Sequence, residues 1–146
     1  MKKSNLLKVL NLVALSGGAT YNLNTGETNP DHGYVVAIKG HELRTKILDQ
    51  ETLGTYVKEN AYLLSKDNIY LGIWRDGNDY CIDCTQTIED IEQAIEAGIL
   101  NEQLAIWDSA NKNEIRLPEP QRGGTETQRK TYASITARRL THLNNC

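Results

Sequence analysis

The stretch IYLGIWRDGNDYCIDC, residues 69–84, decides the fold of this chain. Two β-rich runs flank residues 76–79, Asp-Gly-Asn-Asp, and this composition is a strong signal for a tight hairpin turn. Side chains alternate between the two faces of a strand. One predicted face carries Ile69, Leu71, Ile73, Tyr80, Ile82 and Cys84, and the other carries Tyr70, Gly72, Trp74, Cys81 and Asp83. The sequence therefore predicts an antiparallel hairpin with an apolar face that the rest of the chain must cover.

Length and composition favour one ordinary globular domain. The chain has 146 residues, a net charge of −3, 39% hydrophobic and 24% charged residues, and three cysteines. The net charge argues against a nucleic-acid binder with an overall basic field, and the odd cysteine count argues against a secreted disulfide framework. The apolar N-terminal residues recur at helical spacing, and no run reaches transmembrane length. We therefore expect a cytoplasmic protein with no membrane contact.

Turn and capping residues divide the chain into alternating helices and strands. Helices are predicted at about 4–16, 51–65, 87–98 and 125–143, with Ser4, Asp49, Thr87 and Thr125 as N-caps. Strands are predicted at 19–23, 34–39, 103–109 and 114–117, besides the two strands of the hairpin, with a short strand at 43–47 left as an open alternative. Together these elements predict an α+β fold, with a mainly antiparallel sheet of five to six strands, helices on one face and a C-terminal basic helix.

Residues 118–124, PEPQRGG, are the one predicted linker, because two prolines exclude a helix and two glycines add freedom. We expect residues 1–117 to form a compact α+β domain and residues 118–146 to form the linker and the final helix. That helix carries few apolar residues: Tyr132, Ile135, Leu140 and Leu143. It is expected to pack on its own or a partner subunit, and a homo-oligomer is expected.

The residues that usually carry catalysis or bind metals lack the required spacing. Cys81 and Cys84 are three positions apart on a strand and point to opposite faces, so without a bulge they cannot jointly hold a metal or form a disulfide. The three histidines, His32, His41 and His142, are scattered and form no zinc motif. The sequence therefore predicts no catalytic residue, no metal and no cofactor. An enzyme with His41 or His32 as the base is the last alternative.

The uneven charge is the best functional signal. Residues 89–102 hold five acids and no base, whereas residues 122–139 hold five bases and one acid. A basic helix preceded by two glycines could hold a phosphate, through backbone amides and arginines, while an aromatic ring stacks on a base. The predicted ligand-binding residues are Arg122, Gly123, Gly124, Arg129, Lys130, Tyr132 and Trp74. A solvated basic face, or a salt bridge between subunits to the acidic helix, is the alternative.

Several short motifs carry a resemblance. They are Gly33-Tyr34-Val35-Val36-Ala37, Gly40-His41-Glu42, Tyr70-Leu71-Gly72-x-Trp74, Tyr80-x-x-Asp83 and Asn101-x-Gln103-x-Ala105-Ile106-Trp107-Asp108. From about Gly18 to Leu117 the chain resembles small proteins of phages and integrative elements, most of which have no assigned activity. The basic tail lies outside the resemblance.

The resemblance, the chain's size and its lack of a catalytic constellation together suggest a phage anti-defence protein. The chain is similar in size to the Thoeris anti-defence sponges, oligomers that sequester cyclic nucleotide-type signals without cleaving them. The first expectation is therefore a non-enzymatic binder of a small anionic nucleotide ligand. An anti-CRISPR-like inhibitor of a host defence protein, acting through the acidic surface of residues 89–102, is the alternative, and a nucleotide-processing enzyme comes after it.

Overall fold

The computed structural model describes residues 3–119 and 123–144. Its contacts divide the chain into two units, one of Met1–Pro30 with Gly40–Gln86 and one of Asp31–Lys39 with Thr87–Cys146. Both units combine helices with antiparallel strand pairs, which confirms the α+β class. Seven strands occur in the described residues, one more than the upper number expected. The expected domain boundary at residue 117 stays a prediction.

The described residues form five helices and seven strands. In chain order they are α1 (Lys3–Ser16), β1 (Gly18–Tyr21), β2 (Tyr34–Ala37), β3 (Leu43–Thr45), α2 (Gln50–Glu59), α3 (Ala61–Leu64), β4 (Ile69–Asp76), β5 (Asp79–Ile88), α4 (Ile91–Leu100), β6 (Ala105–Asp108), β7 (Asn113–Arg116) and α5 (Glu126–Asn144). No described helix combines the length and the apolar character that crossing a bilayer requires.

The β4–β5 hairpin has the predicted faces, and the structure adds its register. Asp76 pairs with Asp79, so the turn consists of residues 77 and 78 alone, and Gly77 adopts the positive φ of 62° that such a turn requires. On the apolar face Leu71 pairs with Cys84 and Ile73 with Ile82. On the other face Gly72 pairs with Asp83 and Trp74 with Cys81. In the first unit β1 pairs with β4 and β3 with β5, all antiparallel.

Helices α1 and α2 pack together in the first unit and contribute to its core. Asp49 caps α2 as predicted, because its carboxylate accepts a hydrogen bond from the backbone N–H of Thr52. Tyr56 of α2 reaches Cys84 on the apolar face of the hairpin, at 3.3 Å between Oη and Sγ. The predicted helix of residues 51–65 is interrupted at Asn60, whose side-chain amide donates to the Tyr56 carbonyl. An asparagine side chain that bonds to a carbonyl of its own helix competes with the backbone hydrogen bonds that would continue the helix.

The second unit places α4 on β2 and β6, and α5 on α4. Its core consists of Val36, Ala94, Ile95, Ile99, Ile106, Ala133 and Ala137. The expected apolar stripe of α5 was partly wrong. Ala133 and Ala137, both fully buried, face the core, whereas Ile135 is 50% exposed. Small alanines let the two helices approach closely, which a search for large apolar residues overlooks. The side chain of Leu143 lies outside the described residues.

Both predicted ends of α4 were wrong. Thr87 belongs to β5, and Asp90 is the N-cap, with its carboxylate accepting from the backbone N–H of Gln93 at 2.9 Å. The helix also runs past Gly98 to Leu100. Gly98 is buried inside the last turn, and a Cβ there would stand 2.8 Å from Cγ2 of Ile106. This glycine therefore serves close packing on β6 instead of ending the helix.

The start of α5 confirms the predicted capping box. The Thr125 hydroxyl accepts from the backbone N–H of Gln128 at 3.1 Å, and the Gln128 side chain accepts from the N–H of Thr125 at 2.9 Å. This reciprocal pair satisfies two of the amides that a helix N-terminus leaves free.

Candidate functional site

The C-terminus of α4 ends in a Schellman motif with an unusual residue. The N–H of Gln103 donates to the carbonyl of Gly98, and the N–H of Glu102 donates to the carbonyl of Ile99. The residue that follows the C-cap in this motif requires a left-handed backbone, which glycine adopts without cost. Here that residue is Glu102, with φ of 55°. A non-glycine residue in this conformation costs about 1–2 kcal/mol, and such strain is concentrated at functional sites.

The strained turn brings Glu102 to Lys39, which follows the end of β2. Their side chains form an ion pair, with Lys39 60% and Glu102 31% exposed. The backbone N–H of Lys39 also donates to Oδ1 of Asn101, the C-cap of α4, at 3.0 Å. The end of β2 and the end of α4 are thus joined by two polar contacts, one through the backbone of Lys39 and one through its ammonium group.

A small cavity opens beside this ion pair. It has a volume of about 50 Å³ and is lined by Lys39, Ile99, Leu100, Glu102, Arg129 and Tyr132. Two residues predicted from sequence, Arg129 and Tyr132, therefore lie at one site with a second cation. These six residues supply two positive side chains, one negative side chain, one aromatic ring and two aliphatic side chains. We call this site the Lys39–Arg129 cleft.

Arg129 is positioned by the turn that precedes α5. Its Nη1 donates to the carbonyl of Gly124 at 2.6 Å. Gly123 and Gly124 have φ of 86° and 80°, in the left-handed region that other residues rarely adopt. Of the two glycines, Gly124 contacts Arg129, through its carbonyl oxygen. Their proposed role in approaching a phosphate through their amides stays a prediction.

Two other predicted ligand-binding residues, Lys130 and Trp74, do not line this cleft. Nζ of Lys130 lies 3.0 Å from Oε1 of Glu126, an ion pair that lowers the pKa of Glu126. Trp74 belongs to the first unit, where it is 43% exposed on β4. Arg122 lies outside the described residues.

Contacts between the basic and the acidic helix occur within one chain. Nε of Arg138 on α5 lies 3.8 Å from Oε1 of Glu92 on α4. The alternative interpretation of the charge pattern expected such a pairing between subunits. Both side chains are well exposed, so the pair contributes little to stability.

Sequence reasoning missed Lys39 and Glu102. Lys39 lies at the end of a predicted strand, and Glu102 lies in an acidic segment. A signal was present at residue 102, because the helix continues past Gly98 and no glycine follows where a Schellman motif needs one. No local pattern, however, shows that these two residues meet.

A second candidate feature lies in the first unit, on the face of the hairpin opposite Cys84. Asp83 is fully buried, and neither carboxylate oxygen has a hydrogen-bond partner among the described residues. Burial, with a smaller contribution from Glu42, raises the pKa of Asp83 to about 8. The carboxyl group is therefore mainly protonated at pH 7.

Asn22 shows how the same unit accommodates another buried polar side chain. Its Oδ1 accepts from the backbone N–H groups of Asn24 and Thr25, and its Nδ2 donates to the carbonyl of Asp67 at 2.6 Å. Every hydrogen-bonding group of this side chain except one N–H is used. Asp83 differs from it in having no such partner, and buried groups of that kind are rare in folded proteins.

Two of the three histidines, His32 and His41, have side-chain partners in the structure. Nδ1 of His32 lies 2.6 Å from Oε1 of Glu89, and both side chains are well exposed. Nδ1 of His41 lies 2.7 Å from Oδ1 of Asn60, and because an amide oxygen can only accept, Nδ1 donates this hydrogen bond. Cys81 and Cys84 are free thiols on opposite faces of the hairpin. Within residues 3–119 and 123–144, no three His, Cys, Asp or Glu side chains form a group that could hold a metal ion.

Comparisons with protein-family models, with curated proteins and with solved structures find no match to this chain.

Proposed function

We propose that this protein binds the phosphate group of a small anionic ligand, such as a cyclic nucleotide signal, without changing it chemically. One observation carries the proposal, namely that Arg129 and Lys39 line the same cavity. In this proposal the biological role is the one that the resemblance implies, sequestration of a defence signal by a protein of a phage or mobile element.

The chemistry of the cleft suits a phosphate. The Arg129 guanidinium group can donate two parallel hydrogen bonds to phosphate oxygens, and the Lys39 ammonium group adds a second positive charge. Glu102 now neutralises Lys39. A phosphate would compete with the Glu102 carboxylate for Lys39. The Glu102 carboxylate is therefore an internal competitor of the ligand.

The size of the cavity limits what it can enclose. Sites that bury a whole small molecule have volumes of about 300–1,000 Å³, whereas this cavity measures about 50 Å³. Only the phosphate could be enclosed, and the remainder of a nucleotide would lie on the protein surface. Tyr132 is half-buried against the core, and its accessible part is the nearest aromatic surface for such contacts.

A protein–protein inhibitor that acts through the acidic segment has less support. Glu92 is already paired with Arg138, and Glu102 with Lys39, within the chain. We therefore retain the phosphate-binding proposal as the main one and treat a protein target as an outcome of its test.

Thermal denaturation with inorganic phosphate and with a panel of linear and cyclic nucleotides tests the proposal. A ligand at about 100 times its dissociation constant stabilises the protein by about 2.7 kcal/mol. We expect a selective shift, with the compound recovered intact. Arg129→Ala should abolish the shift. Lys130→Ala is the matched control, because it removes an adjacent exposed cation that does not line the cavity.

Equal losses in the two variants would contradict the cleft as the binding site and would indicate a diffuse basic surface. If no compound shifts the transition, the phosphate-binding proposal is wrong, and capture of a host protein becomes the next experiment. Conversion of the compound during incubation would instead indicate an enzyme.

A further inference from the structure

Strand β7 has an unpaired edge. In the part of the chain that the structure describes, β7 pairs with β6 alone. Asn113, Glu114 and Arg116 are exposed, and Ile115 is half-buried. An exposed strand edge presents free N–H and C=O groups and readily pairs with another strand.

The hydrogen-bond pattern shows which groups of β7 point outward. The N–H of Leu117 donates to the carbonyl of Leu104, so these two residues form a hydrogen-bonded pair in the β6–β7 register. Along an antiparallel ladder, hydrogen-bonded pairs alternate with pairs whose backbone groups point away from each other. Ile115, opposite Ile106, therefore also bonds to β6, whereas the N–H and C=O groups of Glu114 and Arg116 point away from it.

We propose that β7 pairs with β7 of a second copy of this chain, antiparallel and centred on Ile115. In that register Glu114 of one copy lies opposite Arg116 of the other, and two-fold symmetry repeats the pair. Each Glu114–Arg116 pair uses the outward N–H and C=O groups of both residues. The two pairs supply four backbone hydrogen bonds.

Charge complementarity selects this occupant over an unrelated strand. Glu114 and Arg116 share a face of β7, so each acidic side chain would lie directly opposite a basic one across the two-fold axis. Trp107, which is 41% exposed, lies opposite Glu114 on the same face of β6. Its indole ring adds apolar surface beside the new contact. This proposal does not depend on the phosphate site.

Sedimentation equilibrium of the full chain and of charge-swapped variants tests the pairing. The unmodified protein should show a reversible monomer–dimer equilibrium. Glu114→Arg or Arg116→Glu alone places like charges opposite each other twice, and we expect the dimer dissociation constant to rise by about tenfold or more. The double variant Glu114→Arg/Arg116→Glu restores opposite charges and should recover the dimer.

Arg139→Glu is the control, because it reverses an exposed charge on α5 and not on β7, and should leave the dimer unchanged. Circular dichroism of each variant checks that the chain is folded. A monomeric wild type at all concentrations would overturn the proposal. So would single variants that dimerise as wild type does, or a double variant that dimerises no better than the single ones.

Discussion

The carboxyl group of Asp83 on β5 lies over Gly72 on β4, in the space that a side chain at residue 72 would need. The two residues are directly paired in the hairpin, and a Cβ at residue 72 would overlap Oδ1 of Asp83 and lie 3.1 Å from Cγ2 of Thr85. The absence of a side chain at Gly72 is therefore what allows a carboxyl group to be buried on this face.

Gly72→Ala should destabilise the protein. The added methyl group must displace the buried Asp83 side chain or the strand, and overpacking of this kind costs about 1–3 kcal/mol. Urea denaturation measures the change. Gly54→Ala in α2 is the matched control, since its Cβ would make an ordinary 3.7 Å contact with Leu6 and should stabilise the helix. Equal effects of the two substitutions would contradict the packing argument.

Asp83→Asn should flatten the dependence of stability on pH. In the folded state the pKa is raised to about 8, whereas the unfolded carboxyl keeps its ordinary value of 3.8. Between those values the folded state holds one proton more, so this group lowers the free energy of unfolding as pH rises from about 4 to 8. Urea denaturation across that range checks it. Parallel pH profiles of wild type and variant would show that Asp83 is not the titrating group.

Tyr56→Phe should cost about 1 kcal/mol of stability. The Tyr56 hydroxyl donates to the backbone carbonyl of His41 at 2.6 Å, and burial raises the pKa of Tyr56, so the hydroxyl keeps its proton. Tyr62→Phe is the control, because that side chain is 81% exposed and should tolerate the loss. Chemical denaturation compares them, and a cost for Tyr62→Phe as large as that for Tyr56→Phe would argue against the role of this hydrogen bond.

Glu102→Gly should stabilise the chain and strengthen phosphate binding. Glycine removes the left-handed strain of about 1–2 kcal/mol, while the exposed ion pair to Lys39 contributes about 1 kcal/mol or less. Lys39 then becomes available to an anion. Lys112→Gly relieves the same backbone strain at φ of 54°, outside the cleft, and should change stability alone. Titration with phosphate and thermal denaturation separate the two effects. Unchanged phosphate affinity in Glu102→Gly would mean that Glu102 does not compete for Lys39.

Local sequence patterns predicted the features that local interactions determine. The β4–β5 hairpin, the Asp49 cap and the Thr125–Gln128 capping box each depend on residues that are neighbours in the chain. Their geometry is set by turn chemistry and side-chain alternation, which are visible without a structure.

The features that sequence reasoning missed depend on tertiary contacts. Gly98 resembles a helix end, but its packing against Ile106 keeps it inside α4. Asp83 was placed on the correct face, but its burial depends on what covers that face. The Lys39–Arg129 cleft was half predicted, because Arg129 and Tyr132 stand out by composition and Lys39 does not.

The second unit is assembled from two separate stretches of chain, and this order has a consequence during synthesis. Val35 of β2 pairs with Trp107 of β6, which leaves the ribosome about 70 residues later. At a synthesis rate of roughly 5–20 residues per second, several seconds pass between the emergence of β2 and that of β6. For that time the β6-facing edge of β2 is available to chaperones or to the β6 strand of another nascent chain. Slower translation between the two stretches would lengthen this exposure and favour misassembly.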